Sequence, residues 1–207
     1  MTPRHAKPSS TETAGGVVPQ VPEEVWQVLQ AWLPTNEDPD RPVMTLATVD
    51  RSGTPDARSV LLSELDRDGF FFHTDAGSRK VAQLGDIPDV ALVIRPVDEP
   101  RQLVVRGVAE RADTAETDRA YARRSAYLQQ LAWMNSPEVA LLPPDDRRAA
   151  WADFAAIHPA LEPPETWVGF LVRPTSLTFW TGADDSVSHR REYRLTDGYW
   201  VRSELPG

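Results

Sequence analysis

Phe70-Phe71-Phe72-His73-Thr74-Asp75-Ala76-Gly77-Ser78-Arg79-Lys80 reads as a buried strand, a turn and the opening of a helix that begins on two cations. Such a helix start is a ready anion site. Its free backbone N–H groups point outward and its dipole is positive there. Ser78 adds a hydroxyl, and Arg79 and Lys80 add full charges. Of 22 basic residues only Lys7 and Lys80 are lysine, which makes Lys80 conspicuous. A plainer account fits the same residues: an arginine-rich surface with one lysine near a helix start, a common arrangement.

On either side of this stretch the pattern is strand after strand. Val43–Val49 is apolar on both faces, Asp50-Arg51-Ser52-Gly53-Thr54 is a turn, and Arg58–Leu65 is a second strand. Asp68-Gly69 is a hairpin signal leading into Phe70–Thr74. Beyond a short helix with Val81, Ala82 and Leu84 come strands Val90–Pro96 and Gln102–Ala109, joined by the polar turn Val97-Asp98-Glu99-Pro100. A meander of about five strands broken by one helix predicts an antiparallel barrel, not a doubly wound parallel sheet.

The remainder fits one domain over 21–207. Residues 1–20 lack periodicity and read as a disordered tail. Pro22 opens an amphipathic helix through Trp32. Thr114–Trp133 and Arg147–His158 read as helices, the latter with Trp151, Phe154 and Ala155 inward; together they suggest a helical insertion at about 114–160. Strands return at Trp167–Val172, Ser176–Trp180, Arg190–Leu195 and Tyr199–Arg202.

Composition removes several function classes. The chain of 207 residues has no cysteine, so disulfides, thiol catalysis and thiolate metal sites are excluded. A net charge of −9 argues against nucleic acid, which needs a broad basic face, but leaves room for a small anion in a local positive pocket. The four histidines lack metal-ligand spacing, and neither a membrane span nor a signal segment is apparent. The expectation is a soluble, cytoplasmic protein without a metal.

Arg58 shares a strand face with Val60 and Leu62. Burying an unpaired arginine costs several kcal/mol, so Arg58 is either in water at a strand end or paired with a ligand anion. A hairpin with Phe70–Thr74 would bring it near Thr74 and Ser78. Gln102 is either solvated at a strand end or set to pair with a heterocycle carrying donors and acceptors. Phe179-Trp180 is ordinarily core, and His189-Arg190-Arg191 ordinarily a solvated run. No Ser/His/Asp order, HExxH, Walker loop or GxGxxG occurs.

Taken together, Arg58-Ser-Val-Leu-Leu, Phe72-His73-Thr74 with Gly77-Ser78-Arg79-Lys80, Arg101-Gln102 and Phe179-Trp180-Thr-Gly resemble the pyridoxamine 5'-phosphate oxidase family, which includes the phenazine-biosynthesis oxidases. The resemblance runs from about Val43 to the C-terminus. It implies a split β-barrel homodimer with two FMN molecules at the subunit interface. By position, Arg58, Ser59, Val60, Leu61 and Ser63 would line the flavin, beside His73. Thr74, Ser78, Arg79 and Lys80 would hold its phosphate. Gln102, Trp180 and Arg190 would reach it from the partner subunit.

The chain also departs from that pattern. Ser63 stands where pyridoxamine phosphate oxidases have lysine, as in the phenazine oxidases. The family's substrate-binding arginine-x-histidine pair falls on Ser186 and Ser188, with His189 one place later. The glutamine-serine pair that helps bind FMN falls on Pro137 and Glu138. On the long helix Tyr121 matches, while the substrate-binding arginine corresponds to Arg123 or Arg124.

The expectation is therefore an FMN-dependent oxidase acting on a small cyclic or aromatic substrate other than a vitamin B6 phosphate, in secondary metabolism, with dioxygen reoxidising the flavin. Its substrate would meet Ser63, Tyr121, Arg124, Ser186 and Ser188, and His73 and His189 are the candidate acid/base groups. The alternatives are a pyridoxamine 5'-phosphate oxidase whose grip is rebuilt from Arg123, Arg124 or His189, and a cofactor-binding split barrel without turnover.

Overall fold

Two consecutive backbone N–H groups reach the two edges of this protein's sheet and curl it into a split barrel. In the computed structural model, which describes residues 19–96 and 99–207, Leu62 N–H donates to Pro42 O at 2.9 Å and Ser63 N–H donates to Phe71 O at 2.8 Å. The chain thus changes partner between those residues. Before the change, β2 (Pro55–Leu61) pairs with β1 (Val43–Val49); after it, β3 (Glu64–Leu65) pairs with β4 (Phe70–Asp75). The remaining strands are β5 (Asp89–Ile94), β6 (Arg101–Arg111), β7 (Trp167–Thr181), β8 (His189–Thr196) and β9 (Tyr199–Pro206). The order β2-β1-β5-β6-β7-β4-β3 places chain neighbours β2 and β3 at its two ends, so the sheet curls round and the chain itself bridges its two edges.

Every pairing is antiparallel, as the meander implies. The sequence-based hairpin between the Arg58 strand and Phe70–Thr74 is only partly realised. Only β3 forms it, and Arg58 sits opposite Leu46 of β1. Trp167–Val172 and Ser176–Trp180 are one strand instead of two. Pro174 cannot donate to the ladder, but a register shift at Arg106/Gly107 absorbs it and β7 continues. The first half of β7 pairs with β4 and the second half with β8, so β8 and β9 extend from the barrel as a flap.

Alternation packs the inside. Met44, Leu46, Phe70, Phe72, Leu92 and Leu177 are fully buried, and α1 (Glu23–Trp32) adds Val25 and Leu29 to the same cluster. Gly69 makes the β3–β4 turn possible. Its φ is +151°, and a Cβ there would fall 2.1 Å from Val172 O.

The helices α3 (Thr114–Ala122), α4 (Ala126–Met134), α5 (Pro137–Ala140) and α6 (Pro144–Ile157) lie between β6 and β7. The single helix expected over Thr114–Trp133 breaks because Ser125 caps α4, its Oγ accepting from Leu128 N–H at 3.3 Å. No residue of α6 is buried; the Trp151 and Phe154 rings pair with Tyr127, Trp133 and His158, and the Trp151 carbonyl accepts from Gln130 Nε2 at 2.6 Å.

Of the stretch read as a disordered tail, residues 1–18 lie outside the described residues, as do positions 97 and 98 of the polar turn. Gln20 is held: its Nε2 donates to Asp68 Oδ1 at 2.8 Å and its carbonyl accepts from Trp200 Nε1 at 3.1 Å. Among the described residues, no helix is long and apolar enough to cross a membrane.

Candidate functional site

The strand-turn-helix stretch opens a cleft of about 520 Å3, walled by Ser59–Leu61 of β2, His73–Asp75 of β4, the start of α2 (Arg79–Asp86) and α4–α5. Lys80 reaches into it and its Nζ donates to Thr74 Oγ1 at 2.9 Å. Among the described residues no carboxylate lies within ion-pair distance of this ammonium. Burial holds Lys80 below the usual lysine range, and the nearby Arg58 charge pushes the same way, against Asp75. Ser78 is the N-cap of α2, yet its hydroxyl caps no N–H, and the first turn holds no acidic residue. The cleft therefore ends in a half-buried cation, two hydroxyls and an unneutralised helix start. That arrangement attracts an anion.

The two arginines of the expected phosphate grip are differently placed. Arg58 Nη1 donates to Thr48 Oγ1 at 2.7 Å, Arg58 Nη2 donates to Gln83 Oε1 at 2.9 Å, and Arg58 pairs with Asp56 at 2.8 Å. Arg79, 79% exposed, pairs with the same Asp56 oxygen at 2.9 Å. A hydrogen bond from Gln83, then the charges of Arg58 and Arg79, hold Asp56 below the usual carboxylate range against some desolvation. Asp56 lies two residues before Arg58 on one strand face. That spacing was the signal for a third fate of Arg58, an internal ion pair.

His73 is in the core. Its Nδ1 lies 2.8 Å from Ser63 Oγ, its Nε2 lies 3.1 Å from Glu116 Oε2, and its ring stacks on Trp167 at 5.2 Å. Glu116 was missed at the sequence level. Asp113-x-x-Glu116 reads as a capping box, and Asp113 does accept from Glu116 N–H at 2.7 Å, but the glutamate side chain turns to His73.

A side chamber of about 520 Å3 adjoins the cleft and shares Leu61, Arg124 and Leu128 with it. Ser63, Arg41, Glu64 and Arg123 line it, together with Glu37 and Asp38. Arg123 is neutralised by Glu64 at 2.9 Å, and Glu64 also holds Arg119 at 3.0 Å. Arg124 has no such partner among the described residues. It lies 4.4 Å over Trp167, burial pushes it down to about 10, and its Nε is buried without a hydrogen-bond partner. Tyr121 is buried, with its hydroxyl donating to Gln129 O at 3.0 Å, so that hydroxyl is committed away from the cleft.

The remaining sequence-selected residues form a second group. Gln102 faces Trp180 across β6–β7, and Trp180 faces Arg190 across β7–β8, which makes one row over three strands. None of the three lines the cleft or the chamber. Ser186 and Ser188 lie in the β7–β8 connection, also outside both. His189 pairs with Glu204 Oε2 at 2.5 Å on the flap.

Comparison with known proteins agrees with this architecture. The sequence profile described as Pyridoxamine 5'-phosphate oxidase matches residues 27–161. A pyridoxine/pyridoxamine 5'-phosphate oxidase of Salinispora arenicola is 38% identical over 172 residues, covering 81% of this chain and 77% of that protein. The protein of the same name from Cupriavidus metallidurans is 36% identical, covering 93% and 89%. Among solved structures, PhzG of Burkholderia lata in complex with tetrahydrophenazine-1-carboxylic acid superposes with a TM-score of 0.73 at 24% identity, covering 89% of this chain and 90% of that one. A pyridoxamine 5'-phosphate oxidase-related, FMN binding protein of Nostoc punctiforme gives 0.66 at 17% identity, covering 89% and 96%. These last two likenesses are of fold.

Proposed function

Since this chain belongs to the pyridoxamine 5'-phosphate oxidase family, a family of oxidoreductases, we propose that it is an FMN-dependent oxidase of a small cyclic or aromatic substrate other than a vitamin B6 phosphate, with dioxygen as final electron acceptor. The observation that carries this reading is Lys80, half-buried beside Thr74 and Ser78 with no carboxylate partner among the described residues. A pocket of that kind fits a terminal phosphate.

In this reading Lys80, Ser78 and Thr74 hold the phosphate of FMN, with Arg58 adding charge from behind Asp56. Ser59–Leu61 lie along the isoalloxazine, and Gln102, Trp180 and Arg190 come to the cleft from the second chain of a homodimer. Their position in one row away from their own cleft supports that division. When bound, FMN supplies a two-electron acceptor for hydride. The chain supplies orientation, charge and a partly dry chamber for the substrate. Arg124, uncompensated and half-buried, suits an acidic group on that substrate.

Pyridoxamine 5'-phosphate oxidase activity is the second reading, and the names of relatives 36–38% identical to this chain favour it. Against it, Arg123 is neutralised by Glu64 and His189 is occupied by Glu204, which leaves Arg124 alone of the three. Anaerobic mixing of the FMN-loaded protein with pyridoxamine 5'-phosphate or tetrahydrophenazine-1-carboxylic acid separates them. We expect flavin bleaching with the second donor and peroxide on readmitting air. Efficient bleaching by pyridoxamine 5'-phosphate would overturn the substrate assignment, and a colourless protein that takes up no FMN would overturn the function.

A further inference from the structure

We propose that Ser63, His73 and Glu116 form a proton relay, with Ser63 Oγ as the group that meets the substrate. The inference rests on the oxidase reading above and names the substrate class it requires. Its geometry is a short chain: Ser63 Oγ to His73 Nδ1 at 2.8 Å, and His73 Nε2 to Glu116 Oε2 at 3.1 Å. The inner two members are sealed, with the His73 side chain 0% and that of Glu116 6% exposed. Ser63 is the member that lines the side chamber. Among the described residues, the Ser63 hydroxyl is the group of the three through which a proton in the chamber can reach the histidine.

The local packing is arranged around this chain of contacts. Gly169 of β7 leaves the space that His73 needs, since a Cβ there would stand 2.8 Å from Nε2 and 2.9 Å from Thr117 Oγ1. Trp167, also on β7, covers the imidazole face. Glu116 Oε1 is buried without a hydrogen-bond partner, so this carboxylate has spare capacity for positive charge on the ring. The charges on the elements around His73 are Glu116 from α3, Glu64 beside Ser63, already held by Arg119 and Arg123, and Arg124, which stacks on Trp167.

The chemistry follows from which atom carries hydrogen. A carboxylate beside Nε2 keeps the imidazole hydrogen on that nitrogen, so Nδ1 offers a lone pair and Ser63 O–H donates to it. Ser63 then presents only lone pairs to the chamber. The matching substrate group is an N–H or O–H donor on the carbon to be oxidised, and a phosphate oxygen at Ser63 is disfavoured. As the C–H bond breaks, its electron pair leaves as hydride to the two-electron acceptor already proposed. The heteroatom proton passes to Ser63 Oγ, and the serine's own proton passes to His73 Nδ1. A C=N or C=O bond forms, and the imidazolium is held by Glu116.

Two measurements test the relay. Nitrogen-15 NMR of the FMN-loaded protein, labelled at histidine, is expected to show His73 with hydrogen on Nε2 and a hydrogen-bonded, unprotonated Nδ1, whose resonance moves in Ser63→Ala. Stopped-flow reduction by whichever of the two donors above bleaches the flavin is expected to lose about 100-fold or more in maximal rate in Ser63→Ala, with KM little changed and recovery in Ser63→Thr. Hydrogen resting on Nδ1, or a Ser63→Ala protein that reduces at the wild-type rate, would overturn the relay. If neither donor bleaches the flavin, the oxidase reading fails, and the His73 spectra of wild type and Ser63→Ala still decide whether the relay is built.

Discussion

Burial disfavours the Lys80 ammonium, and among the described residues no carboxylate lies within ion-pair distance of it, a deficit that a ligand phosphate repairs. A charge-assisted contact of this type contributes about 1.5–3 kcal/mol, so Lys80→Ala is expected to weaken FMN binding by about 10–100-fold while barely changing riboflavin, which lacks the phosphate. Titration of protein fluorescence with the two flavins measures both. The pH dependence has a definite sign. Burial lowers the pKa of Lys80, so its ammonium is lost earlier on raising pH than that of a free lysine. FMN binding is expected to weaken through the alkaline range while riboflavin binding stays flat. Ser78 and Lys80 were legible in the sequence because a helix start and its charges are local. The partners of His73 were not, because Ser63, His73 and Glu116 meet only through the barrel and the helix laid over it.

Elements were legible where alternation and turns are regular, as in β1, β4 and the Asp68-Gly69 hairpin. They were not legible where one strand changes partner, because Arg58–Leu65 reads as a single run while its two parts pair at opposite edges of the curled sheet. Gly69 anchors that change of partner. Gly69→Ala sets a methyl group against Val172 O and is expected to lower stability by about 2 kcal/mol or more, read as a lower urea midpoint at unchanged slope. On the flap, Arg202 first, then Arg191 and His189, hold Glu204 down to about 2. A depressed carboxylate stabilises the folded state above its unfolded range and stops doing so as pH falls through that range. Glu204→Gln is therefore expected to be less stable than the wild type at neutral pH. The difference should shrink with added salt and disappear by about pH 2, as urea melts across pH would show.

At the scale of the molecule, the barrel places two sets of residues apart. Thr74, Ser78 and Lys80 stand at one cleft, while Gln102, Trp180 and Arg190 form a row that does not line it. A two-fold pairing that lays each row against the other chain's cleft would make two equivalent sites, each built from both chains. Lys80→Ala and Trp180→Ala should then each lose FMN binding for different reasons and complement one another. In a mixed dimer one site carries both substitutions and the other carries neither. The direct measurement is FMN binding by equal amounts of the two variants, unfolded together and refolded. The account predicts that roughly a quarter of the sites recover wild-type affinity, by random pairing of chains. A mixture that binds no more FMN than the two variants do separately would contradict it.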